Sequence, residues 1–157
     1  MFASSTRRRG FSLLELVIVV VILGIIGAIA IPRLSRGAAG AADSALTSNL
    51  AVLRNAIDLY AAEHNGNFPS VADFSDQLLL YSDVQGNTNA TADTTHIYGP
   101  YLRAIPPLPV GTEAGSTTVD ASIGAGVGWL YNETTGEITA ALAATETDST
   151  GTPYADY

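Results

Sequence analysis

The stretch FSLLELVIVVVILGIIGAIAIP, residues 11–32, decides the architecture of the N-terminal part of the chain. From Phe11 to Ile31 it holds 21 residues, of which only Ser12 and Glu15 are polar. A helix of that length rises roughly 30 Å, about one hydrocarbon thickness of a bilayer. We therefore predict a single membrane-spanning helix here.

Charge fixes the expected orientation of this helix and excludes some functions. Three arginines, Arg7 to Arg9, precede the apolar run, and basic flanks stay in the cytoplasm. From residue 55 onward the chain has thirteen acidic residues and one arginine, which gives a net charge of −12. A surface with this charge repels phosphate backbones, so nucleic-acid binding is not expected. The chain has no cysteine, so disulfides, thiolate metal sites and cysteine nucleophiles are excluded.

Three explanations compete for the apolar run. A secretory signal would use Ala28-Ile29-Ala30 as its small-x-small cleavage site, and Arg8-Arg9-Gly10-Phe11 is a partial twin-arginine pattern. A plain membrane anchor is the second explanation. Neither accounts for Glu15, because a carboxylate inside an apolar span is energetically expensive and is functional by default. The third explanation gives Glu15 a partner.

The residues around Glu15 resemble a known export signal. Arg9-Gly10, then Phe11-Ser12-Leu13-Leu14-Glu15, the apolar run and Pro32 resemble the class III signal of type IV pilins and type II secretion pseudopilins. The resemblance implies that a prepilin peptidase cleaves after Gly10 and methylates the new amine of Phe11. It also implies that Glu15 pairs with the Phe11 amine of a neighbouring subunit, which avoids burying either charge alone.

The second half of the long helix is predicted to be amphipathic. Gly24, Gly27 and Pro32 mark a kink or a place where the helix unwinds, because glycine weakens a helix and proline removes a backbone donor. The alanine-rich section 38–45 is expected to be exposed in the monomer. A buried stripe then follows at spacings of three and four, and Asn65-Gly66-Asn67 ends the helix. The stripe consists of Leu46, Leu50, Leu53, Ile57 and Tyr60, and Asp43 is expected to lie off it.

The C-terminal region is predicted to form a small α+β domain. We expect a short helix within Val71–Val84, a polar loop over 85–95, a strand near Thr118 and a β-hairpin over 126–142. Trp129 and Tyr131 should share one face of that hairpin, and the tail 145–157 should be extended or frayed. The predicted fold is a long N-terminal helix, transmembrane in its first half and amphipathic in its second, packed on an antiparallel sheet as in the pilin-like lollipop. Its segments are a leader (1–10), a transmembrane and assembly helix (11–31), its amphipathic continuation (32–65) and a periplasmic α+β domain (66–157).

A second resemblance bears on the subfamily. The segment from Tyr98 to Pro107 resembles the Gly-x-Tyr-Leu stretch of major pseudopilins, although Pro109-Val110-Gly111 stands where Pro-Trp-Gly often follows. With the absence of cysteine, this favours a pseudopilus subunit of type II protein secretion. The alternatives are a type IV pilin of a surface pilus, acting in adhesion, motility or DNA uptake, and an exported monomeric binding domain with a cleaved signal peptide.

No catalytic constellation is visible in the sequence, so we predict a structural protein and no enzyme. His64 and His96 are expected to be solvated surface residues. No cofactor is required, although the resemblance to major pseudopilins allows Ca²⁺ in the C-terminal loops, where hard cations need several oxygens. The expected partners are like subunits, a prepilin peptidase and an inner-membrane assembly platform. We expect a single-pass protein of the bacterial inner membrane that assembles into a periplasmic or surface filament. The acids in loop-like surroundings are Glu113, Asp120, Glu133, Glu137, Glu146 and Asp148.

Overall fold

The computed structural model describes residues 12–157, and of residues 31–36 it describes the backbone alone. Helix α1, Leu13–Glu63, has 51 residues and is assigned without a break through Gly24, Gly27 and Pro32. The chain divides into two compact units, one ending at Ala38 and one comprising Ala39–Tyr157. This boundary falls inside the predicted segment 32–65, and the four-segment division stays a prediction.

The second unit combines helices with short strands, which confirms the α+β fold class. Helix α2, Phe74–Leu79, is shorter than the Val71–Val84 segment in which it is predicted, because the chain turns into an extended conformation at Leu80. The remaining elements are, in chain order, α2 (Phe74–Leu79), β1 (Tyr81–Ser82), β2 (Thr88–Asn89), β3 (Thr118–Asp120), β4 (Val127–Asn132), β5 (Glu137–Ala140) and a 3-10 turn (Tyr154–Asp156).

The strands form two sheets, and one pairing differs from the prediction. Strands β1 and β2 pair antiparallel, so the expected polar loop over 85–95 contains a strand. Strands β4 and β5 form the predicted hairpin, with Trp129 opposite Ala140. Strand β3 pairs with β4 in parallel, so the prediction of a purely antiparallel sheet is wrong there. Side-chain alternation predicts that a strand exists, but it carries no information on the direction of a strand that no tight turn joins to its neighbour.

The core joins the amphipathic part of α1 to one face of the sheet. All five stripe residues of α1 are at most 2% exposed, as the helical spacing predicts. Trp129 and Tyr131 are buried on the same face, whereas Leu130 is half-buried on the other. Each buried polar tip has a partner, since Trp129 Nε1 donates to Pro106 O at 2.8 Å and Tyr131 Oη donates to Pro69 O at 3.0 Å.

The end of α1 follows the predicted chemistry. Asn65 and Gly66 take positive φ values of 58° and 85°, and the Gly66 amide donates to Ala61 O at 2.8 Å. This left-handed ending satisfies carbonyls that the last turn would otherwise leave free. In the alanine-rich section, Ala38 and Ala41 are exposed as expected, but Ala42 packs against the core.

The tail is the largest departure from the prediction. Residues 145–157 were expected to be extended or frayed, yet Tyr154 is 7% exposed and belongs to the core. The amide of Tyr154 donates to Glu146 O, and Thr147 pairs with Pro153 in an isolated bridge. The tail is polar in composition, but two of its residues, Tyr154 and Tyr157, anchor it through their hydroxyl groups.

Candidate assembly and processing site

The apolar half of α1 is exposed along its length. The window Leu13–Ala30 has a mean hydropathy of 3.0, and none of it is buried within the protein. In the described part of the chain, this is the one helix long and apolar enough to cross a membrane. Exposed apolar surface on this scale marks contact with lipid or with other proteins.

The helix begins with a capping box that sequence reasoning missed. The Ser12 amide donates to Glu15 Oε2 at 2.9 Å, and the Leu14 amide donates to Ser12 Oγ at 3.3 Å. This reciprocal pattern has the spacing Ser-x-x-Glu, so the signal was present in the sequence. It satisfies two amides of the first turn that have no partner within the helix. Glu15 therefore has a role within its own chain that none of the three explanations of the apolar run includes.

The capping role leaves Glu15 able to bind a cation as well. An ionised carboxylate offers about four acceptor positions, and the capping box uses one of them. Gly10 and Phe11 lie outside the described residues, so cleavage after Gly10 and pairing with the Phe11 amine stay predictions.

Among the described residues, nothing requires glycine at Gly24 or Gly27. A Cβ atom added at Gly24 or at Gly27 would meet no atom within 4 Å, and neither residue has a positive φ. The side chain of Pro32 lies outside the described set. A bend or local unwinding at these three positions stays a prediction about the assembled state.

The comparison with known proteins bears on this N-terminal region. The prokaryotic N-terminal methylation motif matches residues 5–31, which span the basic flank, Gly10, Phe11, Glu15 and most of the apolar run. The match supports a type IV pilin-like protein. A protein of this kind is a structural subunit, made as a precursor that prepilin peptidase processes, and it assembles with like subunits. No curated protein and no solved structure matches the chain.

In the second unit, the prediction that His64 is a solvated surface residue is wrong. The imidazole is 1% exposed and stacks on Tyr60 with ring centroids 3.7 Å apart. Its Nδ1 lies 2.8 Å from Tyr60 O, and its Nε2 lies 3.0 Å from Ser82 Oγ. His64 continues the buried stripe four residues beyond Tyr60, so the helical spacing itself predicted burial. His96, by contrast, sits half-exposed in a loop with Nδ1 2.9 Å from Asp93 Oδ2.

The prediction that Asp43 lies off the buried stripe is also wrong, because Asp43 lies on the stripe three residues before Leu46. Its Oδ1 accepts a hydrogen bond from the Tyr154 hydroxyl at 2.7 Å, and its Oδ2 accepts one from the Ser149 amide at 3.0 Å. Hydrogen bonds from Ser149 and from Tyr154 hold the pKa of Asp43 below its usual value. Burial, together with the hydrogen bond to Asp43, raises the pKa of Tyr154, so the phenol stays a donor.

The acids in loop-like surroundings each accept hydrogen bonds from the protein itself, with the exception of exposed Glu137. Among the described residues, no three histidines, aspartates or glutamates lie together as a metal-binding group. Glu113 accepts from the Gly126 amide, Asp120 from the Ser122 amide and Glu133 from the Val71 amide. Glu146 accepts from Thr112 and Ala143, and Asp148 accepts from residues of the tail.

Proposed function

We propose that the chain is the structural subunit of a pseudopilus, the periplasmic filament of type II protein secretion. The observation that carries this proposal is the methylation motif at residues 5–31, together with a helix whose residues Leu13–Ala30 are not buried within the described part of the protein. A helix exposed in this way needs lipid before assembly and like subunits afterwards. In the filament, neighbouring subunits cover the apolar helix.

In the proposed pathway, the precursor enters the inner membrane with Arg7 to Arg9 in the cytoplasm and the acidic unit in the periplasm. Prepilin peptidase cleaves after Gly10 and methylates Phe11. The assembly platform then adds the subunit to the filament, and Glu15 pairs with the Phe11 amine of its neighbour. Pairing sets the register, because any other register leaves two charges unpaired in hydrocarbon.

The choice of a pseudopilus rests on the resemblance between Tyr98–Pro107 and major pseudopilins and on the absence of cysteine. A type IV pilin of a surface pilus is the second candidate, since it would use the same N-terminal chemistry. Deleting the gene in its host distinguishes the two. Loss of proteins from the culture medium with surface fibres intact supports the pseudopilus, and loss of the fibres with secretion intact supports the pilus.

Processing is tested by the intact mass of the chain from the membrane fraction. We expect a mature chain that begins at Phe11 and carries one added methyl group. The sequence has no lysine, so reductive labelling of aliphatic amines reports on the α-amine alone. A mature chain beginning near Ile31 would instead support an exported monomeric domain.

The substitution Gly10→Val should block cleavage, because the peptidase must approach the backbone where glycine has no Cβ. The uncleaved precursor should accumulate in the membrane at full length. Gly37→Val is the matched control, since a Cβ at Gly37 meets nothing within 4 Å. Normal maturation of the Gly10→Val chain would contradict a class III signal.

A further inference from the structure

The C-terminal strap, residues 146–157, is bound to helix α1 by hydrogen bonds to carboxylates. From the helix, Asp43 accepts bonds from the Tyr154 hydroxyl and the Ser149 amide. Within the strap, Asp148 accepts a bond from the Tyr157 hydroxyl at 2.8 Å. Arg54 of the helix donates to Tyr157 O at 2.7 Å. The strap is thus tied to α1 at two points, eleven positions apart on the helix.

We propose that these carboxylate hydrogen bonds close the C-terminal strap without a metal ion, in the loops where the resemblance to major pseudopilins allows calcium. The proposal is independent of the filament type. It assigns Asp43, Glu146 and Asp148 as structural anchors whose partners are protein N–H and O–H groups.

The donors around Asp148 leave little room for a cation. Its Oδ1 accepts from the Thr150 amide at 2.7 Å and the Thr152 amide at 2.8 Å, and its Oδ2 accepts from Tyr157. Each donor points a partial positive charge at the carboxylate. A calcium ion takes 6–8 oxygen ligands, and here it would have to displace the donors before it could bind.

Glu146 is surrounded in the same way. Its Oε1 accepts from the Thr112 amide and hydroxyl, both at 3.1 Å, and its Oε2 accepts from the Ala143 amide at 3.1 Å. These bonds join the strap to the loop before β3 and to the segment after β5. The Arg54 guanidinium, held by Tyr157 O and Ile138 O, already places a cation beside the strap.

The test uses the full-length chain purified in detergent, with calcium chloride as the only added metal salt. Chymotrypsin cleaves after Tyr154, and mass spectrometry measures loss of the last three residues. We expect the same unfolding midpoint and the same cleavage rate in millimolar calcium and in excess EGTA. Because an ion that binds only the folded state must stabilise it, a calcium-dependent rise in the midpoint with slower cleavage would overturn the proposal.

Two substitutions test the anchors themselves. Asp43→Asn and Tyr154→Phe should each speed cleavage at position 154 by about tenfold or more, since a hydrogen bond to a charged group contributes roughly that factor. Cleavage of a transiently opened segment reports its opening equilibrium. Asp58→Asn is the matched control, because Asp58 is exposed on the same helix. Cleavage at the wild-type rate in Tyr154→Phe, which keeps the ring in the core, would also overturn the proposal.

Discussion

The two compact units of this chain bury their apolar side chains in opposite ways. In the first unit, Leu13 is 81% exposed and Ile22 is 50% exposed, although both lie in the most hydrophobic stretch of the protein. In the second unit, Leu50 and Trp129 are at most 1% exposed. The first unit is therefore stabilised by what surrounds the subunit, and the second by its own core. A substitution in the first should change assembly, and one in the second should change folding.

The largest expected effect is on assembly, from Glu15→Leu. Removing one partner of a buried ion pair typically destabilises by about 3–5 kcal/mol, which weakens subunit addition roughly a hundredfold or more. Membrane insertion and cleavage should continue, because the span loses a charge. Crosslinking of neighbouring subunits in the membrane measures the effect, and wild-type levels of polymer would contradict the pairing.

The capping box calls for a second substitution at the same position. Glu15→Gln removes the charge but keeps an acceptor that suits a capping box. Assembly lost in Glu15→Gln and retained in Ser12→Ala would assign the defect to the ion pair. Assembly retained in Glu15→Gln and lost in Ser12→Ala would assign it to the cap.

Trp129→Ala should lower the stability of the second unit by about 3–5 kcal/mol, because a large side chain leaves a cavity in the core. The substitution also removes the indole N–H that donates to Pro106 O, and this carbonyl loses its donor. Unfolding is followed by circular dichroism, because Trp129 is the only tryptophan of the chain and the variant has no tryptophan fluorescence to follow. Leu59→Ala is the control, because Leu59 is 52% exposed. Equal losses of stability from both variants would contradict the conclusion that the second unit is stabilised by its buried core.

Acid should weaken the second unit through Asp43. Its pKa in the folded state lies below the ordinary value of 3.8, so its stabilisation is complete above that value and is lost as pH falls through the folded pKa. Free energies of unfolding measured between about pH 2 and pH 6 should fall toward the acid end. Asp43→Asn should flatten this dependence, and an unchanged slope would show that Asp43 does not contribute to it.

The smallest expected effect concerns the end of α1. Gly66→Ala should destabilise by roughly 1–2 kcal/mol, because a left-handed conformation strains a residue that has a Cβ. No atom lies within 4 Å of the added methyl, so the loss measures backbone strain alone. Gly40→Ala, inside the helix and equally open, should be neutral or stabilising. Thermal unfolding of the pair checks the sign of both.

Local patterns predicted local structure well. The stripe from Leu46 to Tyr60, the ending at Asn65-Gly66 and the hairpin around Trp129 all follow from periodicity and turn chemistry. The same stripe includes Asp43 and His64, although their polar residue types indicate exposure. Burial of a polar group depends on a partner, and the partners were not visible from the helix alone.

The partners that escaped prediction are distant in sequence. Tyr154 lies 111 positions from Asp43, and Ser82 lies 18 positions from His64. No spacing rule connects such residues, so the buried strap was expected to be a frayed tail. The capping box is the opposite case, since Ser12 and Glu15 are three residues apart and the pattern could have been found.

The bond between Asp43 and Tyr154 also bears on the order of events during export. The two residues stand near the beginning and the end of the second unit, so their contact closes almost the whole of it into one loop. In the proposed pathway the second unit crosses the membrane from its N-terminal side, so Tyr154 arrives after Asp43, and the contact between them cannot form earlier. On that pathway we expect the second unit to complete its fold only after Tyr154 has crossed.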